Sequence, residues 1–193
     1  MNASAVDRLR EVERSYLEHI LLALGVRDRA APYRDFLDNW YAFRVREGHL
    51  TKGHRPIWFN NPCAITRGAA LRRMHFISEK ADAVLRSAEG ASDEYQRMRD
   101  EKNPACRLMV DHAVPLGVIV AHLQEQFDAN PAITAHWLEE RLIQLYHLGV
   151  ITSEEDARLN SLGLRSAMPR GWDGADLQAR YKTAGIVAAV SRL

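Results

Sequence analysis

Cysteine is almost absent from this chain. The two present, Cys63 and Cys106, lie 43 residues apart with no CxxC pair. That excludes a cysteine-rich zinc site and a disulfide scaffold, and it suits a reducing, cytoplasmic setting. Long apolar runs are missing too. None approaches the roughly 18 residues needed to cross a bilayer, so no membrane association is expected. The closing run Ile186-Val187-Ala188-Ala189-Val190 is expected to pack on the body of the protein. Met1-Asn2-Ala3-Ser4 lacks a basic region followed by an apolar core, so no secretion leader is expected. Charge of one sign is not in excess: 26 Lys and Arg face 25 Asp and Glu, for a net +1. There is no HExxH, no glycine-rich phosphate loop and no GxSxG, which removes the familiar zinc-protease, nucleotide-loop and nucleophile-elbow chemistries. Internal repeats and low-complexity segments are absent as well.

What is present is an ordinary core-forming composition. Of 193 residues, 47% are hydrophobic, enough for one domain or two joined lobes. Val6, Leu9, Val12, Tyr16, Leu17, Ile20, Leu21 and Leu24 recur at helical spacing over 4–24, and Gly25 suits a stop. A second helix is predicted over 32–46, with Pro32 in its first turn. Gly48, Gly53, Pro56 and Pro62 make 48–65 a loop. A third helix is predicted over 66–88, with Leu71, Met74, Ile77, Ala81, Val84 and Leu85 inward, and a short fourth from Ser92 to Glu101.

The pattern then changes. Residues 106–112 read as a strand. Pro115 opens a helix whose apolar face is Leu116, Ile119, Val120, Leu123 and Phe127, and Asn130-Pro131 leads into another with Trp137, Leu138 and Leu142. Residues 143–151 fit a helix end or a strand, with Gly149-Val150-Ile151 favouring a strand. Thr152 and Glu155 have capping-box spacing for a helix through Asn160. Residues 163–174 read as irregular, and a last helix is expected over 175–184. The expected architecture is mainly helical, α+β: a helical lobe over 1–103 and a smaller mixed lobe over 104–193.

The richest stretch chemically is Cys106-Arg107-Leu108-Met109-Val110-Asp111-His112-Ala113-Val114-Pro115-Leu116, an apolar run ending in adjacent acid and imidazole. With the strand near 145–151 and the helix over 153–160, it resembles the HNH, or ββα-metal, nucleases. In that family a His polarises the attacking water, while a neighbouring acid and a residue on the closing helix hold one divalent ion. The resemblance implies a short two-stranded ββα-metal-like element, His112 as general base, and Asp111 as ligand for Mg²⁺ or Mn²⁺. The helix ligand would be Asp156 or Asn160, four apart and so on one face. The plainer alternative makes Asp111 a cap for the helix at Pro115 and His112 a structural hydrogen-bonder.

Charge is segregated along the chain. From Trp40 to Phe76, Arg44, Arg46, Lys52, Arg55, Arg67, Arg72 and Arg73 face one acid, Glu47, giving +6 in 37 residues and −5 elsewhere. Aromatics are interleaved, including the loop residue Trp58. Such a segment attracts phosphates and offers rings for stacking on bases. Arg44, Arg55, Trp58, Arg67, Arg72 and Arg73 are therefore the candidate nucleic-acid contacts, with Arg180 as a phosphate clamp. Solvated helix ends or an acidic protein partner would account for the same charges. Two functions follow. The first is a metal-dependent endonuclease-like protein hydrolysing nucleic-acid phosphodiester bonds. The second is a non-enzymatic interaction protein gripping nucleic acid or a nucleic-acid-handling complex, of the kind a mobile element encodes. No Asn precedes Leu142-Ile143, where the nuclease family carries one, and this favours the second. A dimerisation module built on the first helix is a third possibility.

Overall fold

The computed structural model describes residues 5–27, 31–43, 71, 74–87 and 101–190. Among these are seven helices and four strands, a mainly helical α+β fold. They are α1 (Ala5–Gly25), α2 (Tyr33–Phe43), β1 (Phe76–Ser78), α3 (Glu79–Ser87), β2 (Leu108–His112), α4 (Leu116–Ala129), α5 (Ala135–Leu145), β3 (Leu148–Thr152), α6 (Ser153–Ser161), α7 (Ala179–Thr183) and β4 (Ala188–Val190).

The chain divides into two units that interleave in sequence. The first holds Met1–Ala64 and Val120–Ile143, the second Ile65–Ile119 and Gln144–Leu193. The expected division was a single cut near 103. In the first unit α1 packs on α2. Among the described side chains of α1, Glu13, Leu17, Ile20, Ala23 and Leu24 are buried, a helical stripe, as are Leu37 and Trp40 of α2. Glu13 takes the buried place expected of Val12, which is 36% exposed. Leu123, Leu138 and Leu142 are also buried. Near the end of α1, Gln124 Nε2 donates to the Leu24 carbonyl at 3.3 Å, and Arg27 pairs with Asp128 at 3.0 Å. Thr134 precedes α5, and its hydroxyl accepts from the Trp137 amide at 3.2 Å.

The second unit is built on one sheet in the order β2-β3-β1-β4. β3 pairs antiparallel with β2 (Asp111↔Gly149, His112↔Leu148) and parallel with β1 (Phe76↔Gly149). β4 closes the far side, antiparallel to β1. All five residues of β3 are buried, as a central strand covered on both faces requires. On one face Phe76, Ile151, Leu159, Leu164, Tyr181, Ala184 and Ile186 form a continuous apolar core.

Several local expectations hold. β2, β3 and α6 fall where the pattern puts them, and the Thr152–Glu155 capping box is complete. α6 ends at Ser161, and Gly163, two residues on, is in the left-handed region at φ +70°. There the Leu164 amide reaches back to the Leu159 carbonyl at 2.8 Å and the Gly163 amide to the Asn160 carbonyl at 3.0 Å, while Leu164 and Leu159 join the core.

Others are corrected. Phe76–Ser78 is a strand inside the stretch read as one helix over 66–88; only Glu79–Ser87 of the described part is helical beyond it. Three residues carry no legible period, and Leu71, Met74 and Ala81 match helical spacing on either side. The expected two-stranded element is therefore part of a four-stranded sheet. The last helix is shorter than 175–184. Asp173 and Asp176 accept from the amides of Ala175 and Gln178, folding the approach into turns. The apolar tail does pack on the body, as β4. The short helix expected from Ser92 lies outside the described residues up to 100, and Glu101 is not helical.

Candidate functional site

Asp111 and His112 are consecutive residues of one strand, and their register with β3 continues through His112. Side chains alternate along a strand, so the two project from opposite faces of the sheet. The shared pocket expected of an acid and an imidazole side by side does not form.

The Asp111 face is filled by α7. Arg180 is fully buried and points its guanidinium at the end of β2. Nε donates to the Ala113 carbonyl at 3.0 Å, and Nη1 to the carbonyls of Leu164 at 2.7 Å and Arg165 at 3.3 Å. Nη2 donates to Asp111 Oδ2 and to the His112 carbonyl. A guanidinium has five N–H donors, and these five acceptors use them all. The Tyr181 hydroxyl donates to the same Asp111 oxygen at 2.8 Å. Burial first, and then the Asp111 charge, push the Tyr181 phenol well above its usual 10, so it stays a donor.

Gly149 makes this arrangement possible. It lies between Asp111 and Phe76 in the sheet, and a Cβ built there would meet the Tyr181 hydroxyl at 3.0 Å. A glycine within an apolar strand run is the sequence sign of such a close approach. Tyr181 and Gly149 are the site residues that sequence reasoning passed over.

On the other side of β2, His112 is 7% exposed. Its Nε2 lies 3.3 Å from the Tyr146 hydroxyl, with the two rings edge-to-face at 5.1 Å. The base role would instead require this ring to face an attacking water.

The expected helix ligands are placed as follows. Asp156 lies 3.8 Å from Arg165 Nε, and Asn160 is exposed. Glu155 is buried. Its Oε2 accepts from Ser78 Oγ at 2.7 Å, from the Thr152 amide at 2.8 Å and from Thr152 Oγ1 at 3.2 Å. Ser78 Oγ in turn accepts from the Ala81 amide, so one carboxylate joins the N-termini of α3 and α6. Among the described residues, no group of three or more His, Cys, Asp or Glu converges to hold a metal ion. One oxygen of Asp111, Oδ2, already takes two hydrogen bonds, from Arg180 Nη2 and from the Tyr181 hydroxyl. Nor does Asp111 cap the helix at Pro115.

Arg180 does not fit the role of phosphate clamp, since it has neither exposure nor a spare donor. Arg44, Arg55, Trp58, Arg67, Arg72 and Arg73 lie outside the described residues. Among the other histidines, His136 lies 3.5 Å from Glu140, both exposed, and His122 is held below the ordinary 6.5, first by burial and then by Arg141.

No helix among the described residues is long and apolar enough to cross a membrane. No family model, no curated protein and no solved structure matches the chain.

Proposed function

We propose that the chain works by binding rather than by metal-assisted hydrolysis. In this reading it is an interaction protein that contacts nucleic acid through the basic, aromatic segment 40–76. The observation that carries the reading is the closed set of partners around Arg180: Asp111 is spent as the counterion of a buried arginine, and the Asp-His pair becomes a structural brace. What remains with the chemistry of a functional site is the sequence segment of +6 in 37 residues. Its cations supply affinity for phosphates, and its rings supply stacking on unpaired bases.

The test is fluorescence anisotropy with short labelled single-stranded DNA and RNA over a salt series. Binding is expected to weaken log-linearly with salt. Replacing Arg72 and Arg73 with Ala is expected to flatten the slope by about 0.7 for each phosphate that is no longer neutralised. Absence of binding at low ionic strength, or a slope unchanged in the double variant, overturns the proposal.

A second reading, the ββα-metal nuclease, draws on one observation: antiparallel β2 and β3 lead directly into α6, with Asp111-His112 at the end of β2. Plasmid cleavage that requires Mg²⁺ or Mn²⁺, stops with EDTA and is lost in His112→Ala would establish it in place of the first.

A further inference from the structure

Ahead of β1 and β3 two imidazoles lie face to face. The rings of His75 and His147 are 4.2 Å apart at 28°, and the His147 ring continues onto Phe76 at 5.7 Å. His75 Nδ1 lies 3.1 Å from the amide of Leu148, the first residue of β3. A backbone amide can only donate, so Nδ1 carries a lone pair here. His75 is thus the neutral tautomer with its proton on Nε2. The Leu148 amide belongs to the central strand, and its acceptor is a side chain from the residue just before β1. One residue earlier, the His147 carbonyl accepts from the Ala113 amide at 2.8 Å, beginning the β2 ladder. The start of β3 is therefore held on one side by backbone and on the other by an imidazole.

We infer that His75 is an acid-released latch between β1 and β3. Protonation at Nδ1 turns the acceptor into a donor facing another donor, and places a cation against the stacked His147 ring. The hydrogen bond to Leu148 cannot survive in that state. Among the described residues, the titratable groups at this end of the sheet include His147 in ring contact and the His112–Tyr146 pair beside Leu148 in the β2 register. Arg72 and Arg73, just upstream in sequence, lie outside the described residues. His75 immediately precedes β1, at the end of the basic segment 40–76 in sequence. The inference does not depend on what the segment binds.

The experiment is hydrogen exchange of the Leu148 amide between about pH 7.5 and about pH 5.5, spanning the ordinary imidazole range, in the wild type and in His75→Asn. The Asn carbonyl keeps an uncharged acceptor near the place of Nδ1. After correction for intrinsic exchange, the wild type is expected to lose about fivefold in protection on acidification, the worth of one net hydrogen bond, and His75→Asn is expected to lose none. Long-range ¹H–¹⁵N spectra of the His75 ring in the wild type decide the matter even if the variant fails to fold. They are expected to show a proton on Nε2 alone at neutral pH. A proton on Nδ1 at neutral pH, or equal acid loss in both proteins, overturns the inference.

Discussion

Removing the carboxylate of Asp111 separates the structural and the catalytic roles of the Asp-His element most cleanly. Arg180 is 0% exposed and Asp111 only 17% exposed at the side chain, so solvent does little to screen the pair. In Asp111→Ala the guanidinium keeps four carbonyl acceptors but loses its counterion, and the Tyr181 hydroxyl loses its acceptor. Breaking a buried pair from one side costs about 3–5 kcal/mol, and an orphaned buried hydroxyl adds about 1–3 kcal/mol that overlaps with it. The expected loss is therefore about 4 kcal/mol, a large part of the roughly 5–15 kcal/mol that holds a protein folded. Arg180→Met is expected to cost as much, because it strands the four carbonyls and the carboxylate. The double variant is expected to cost less than the sum, with a coupling of about 2–3 kcal/mol. Urea unfolding followed by circular dichroism, in EDTA throughout, measures all three. A carboxylate kept for a metal carries no such role in the metal-free protein. Asp111→Ala within about 1 kcal/mol of wild type under these conditions would refute the brace.

Three further outcomes are expected. Gly149→Ala should cost about 1–3 kcal/mol by overpacking against the Tyr181 hydroxyl; the same change in a Tyr181→Phe background should cost less, and equal thermal shifts in both backgrounds would contradict the close approach. Glu155→Ala should cost about 2–4 kcal/mol in urea unfolding, since Ser78 and Thr152 lose a shared acceptor at two helix N-termini, whereas a purely local cap would cost only about 1 kcal/mol. His122, whose pKa is lowered first by burial and then by Arg141, should titrate below 6.5 by NMR. The unfolded chain then binds the extra proton first, so the His122 contribution is complete above pH 6.5 and is lost as pH falls through the lower folded value. A ring titrating at or above 6.5 would reverse that sign.

Elements that carry their own signal were legible in the sequence. α1, α2 and α4 each show a helical apolar stripe, and the Thr152–Glu155 box marks the start of α6 at its true residue. β1 and β4 carry none. Each is three residues long and exists only through its partners, Phe76 against Gly149 and Val190. The site divides in the same way. Asp111, His112 and Arg180 stand out in the sequence as chemically loaded residues, and the structure does bring Asp111 and Arg180 together. Their relation was invisible because 69 positions separate them and no periodicity links a strand end to α7. Burial inverts the meaning of each: an exposed Arg grips a ligand, whereas a buried one with five internal acceptors grips the fold.

The Asp-His reading turns on a single matter of backbone conformation. On a turn or a strand end that has left its ladder, adjacent acid and imidazole can face one ion. Here the ladder does not stop before them: Asp111 pairs with Gly149, His112 with Leu148, and the Ala113 amide still reaches the His147 carbonyl. The alternation of the pleat then places the two side chains on opposite faces. A divalent ion that claimed Asp111 would meet a second obstacle. Bound at Oδ2, it would displace Arg180 Nη2 and the Tyr181 hydroxyl from that oxygen, leaving a guanidinium in the interior beside an ion of the same sign. Like charges at that separation repel more strongly in the interior than in water, because less solvent screens them. Metal binding at Asp111 Oδ2 would therefore compete with the Arg180 and Tyr181 hydrogen bonds that tie β2 to α7. The brace and a metal at Oδ2 would compete for the same oxygen of one carboxylate.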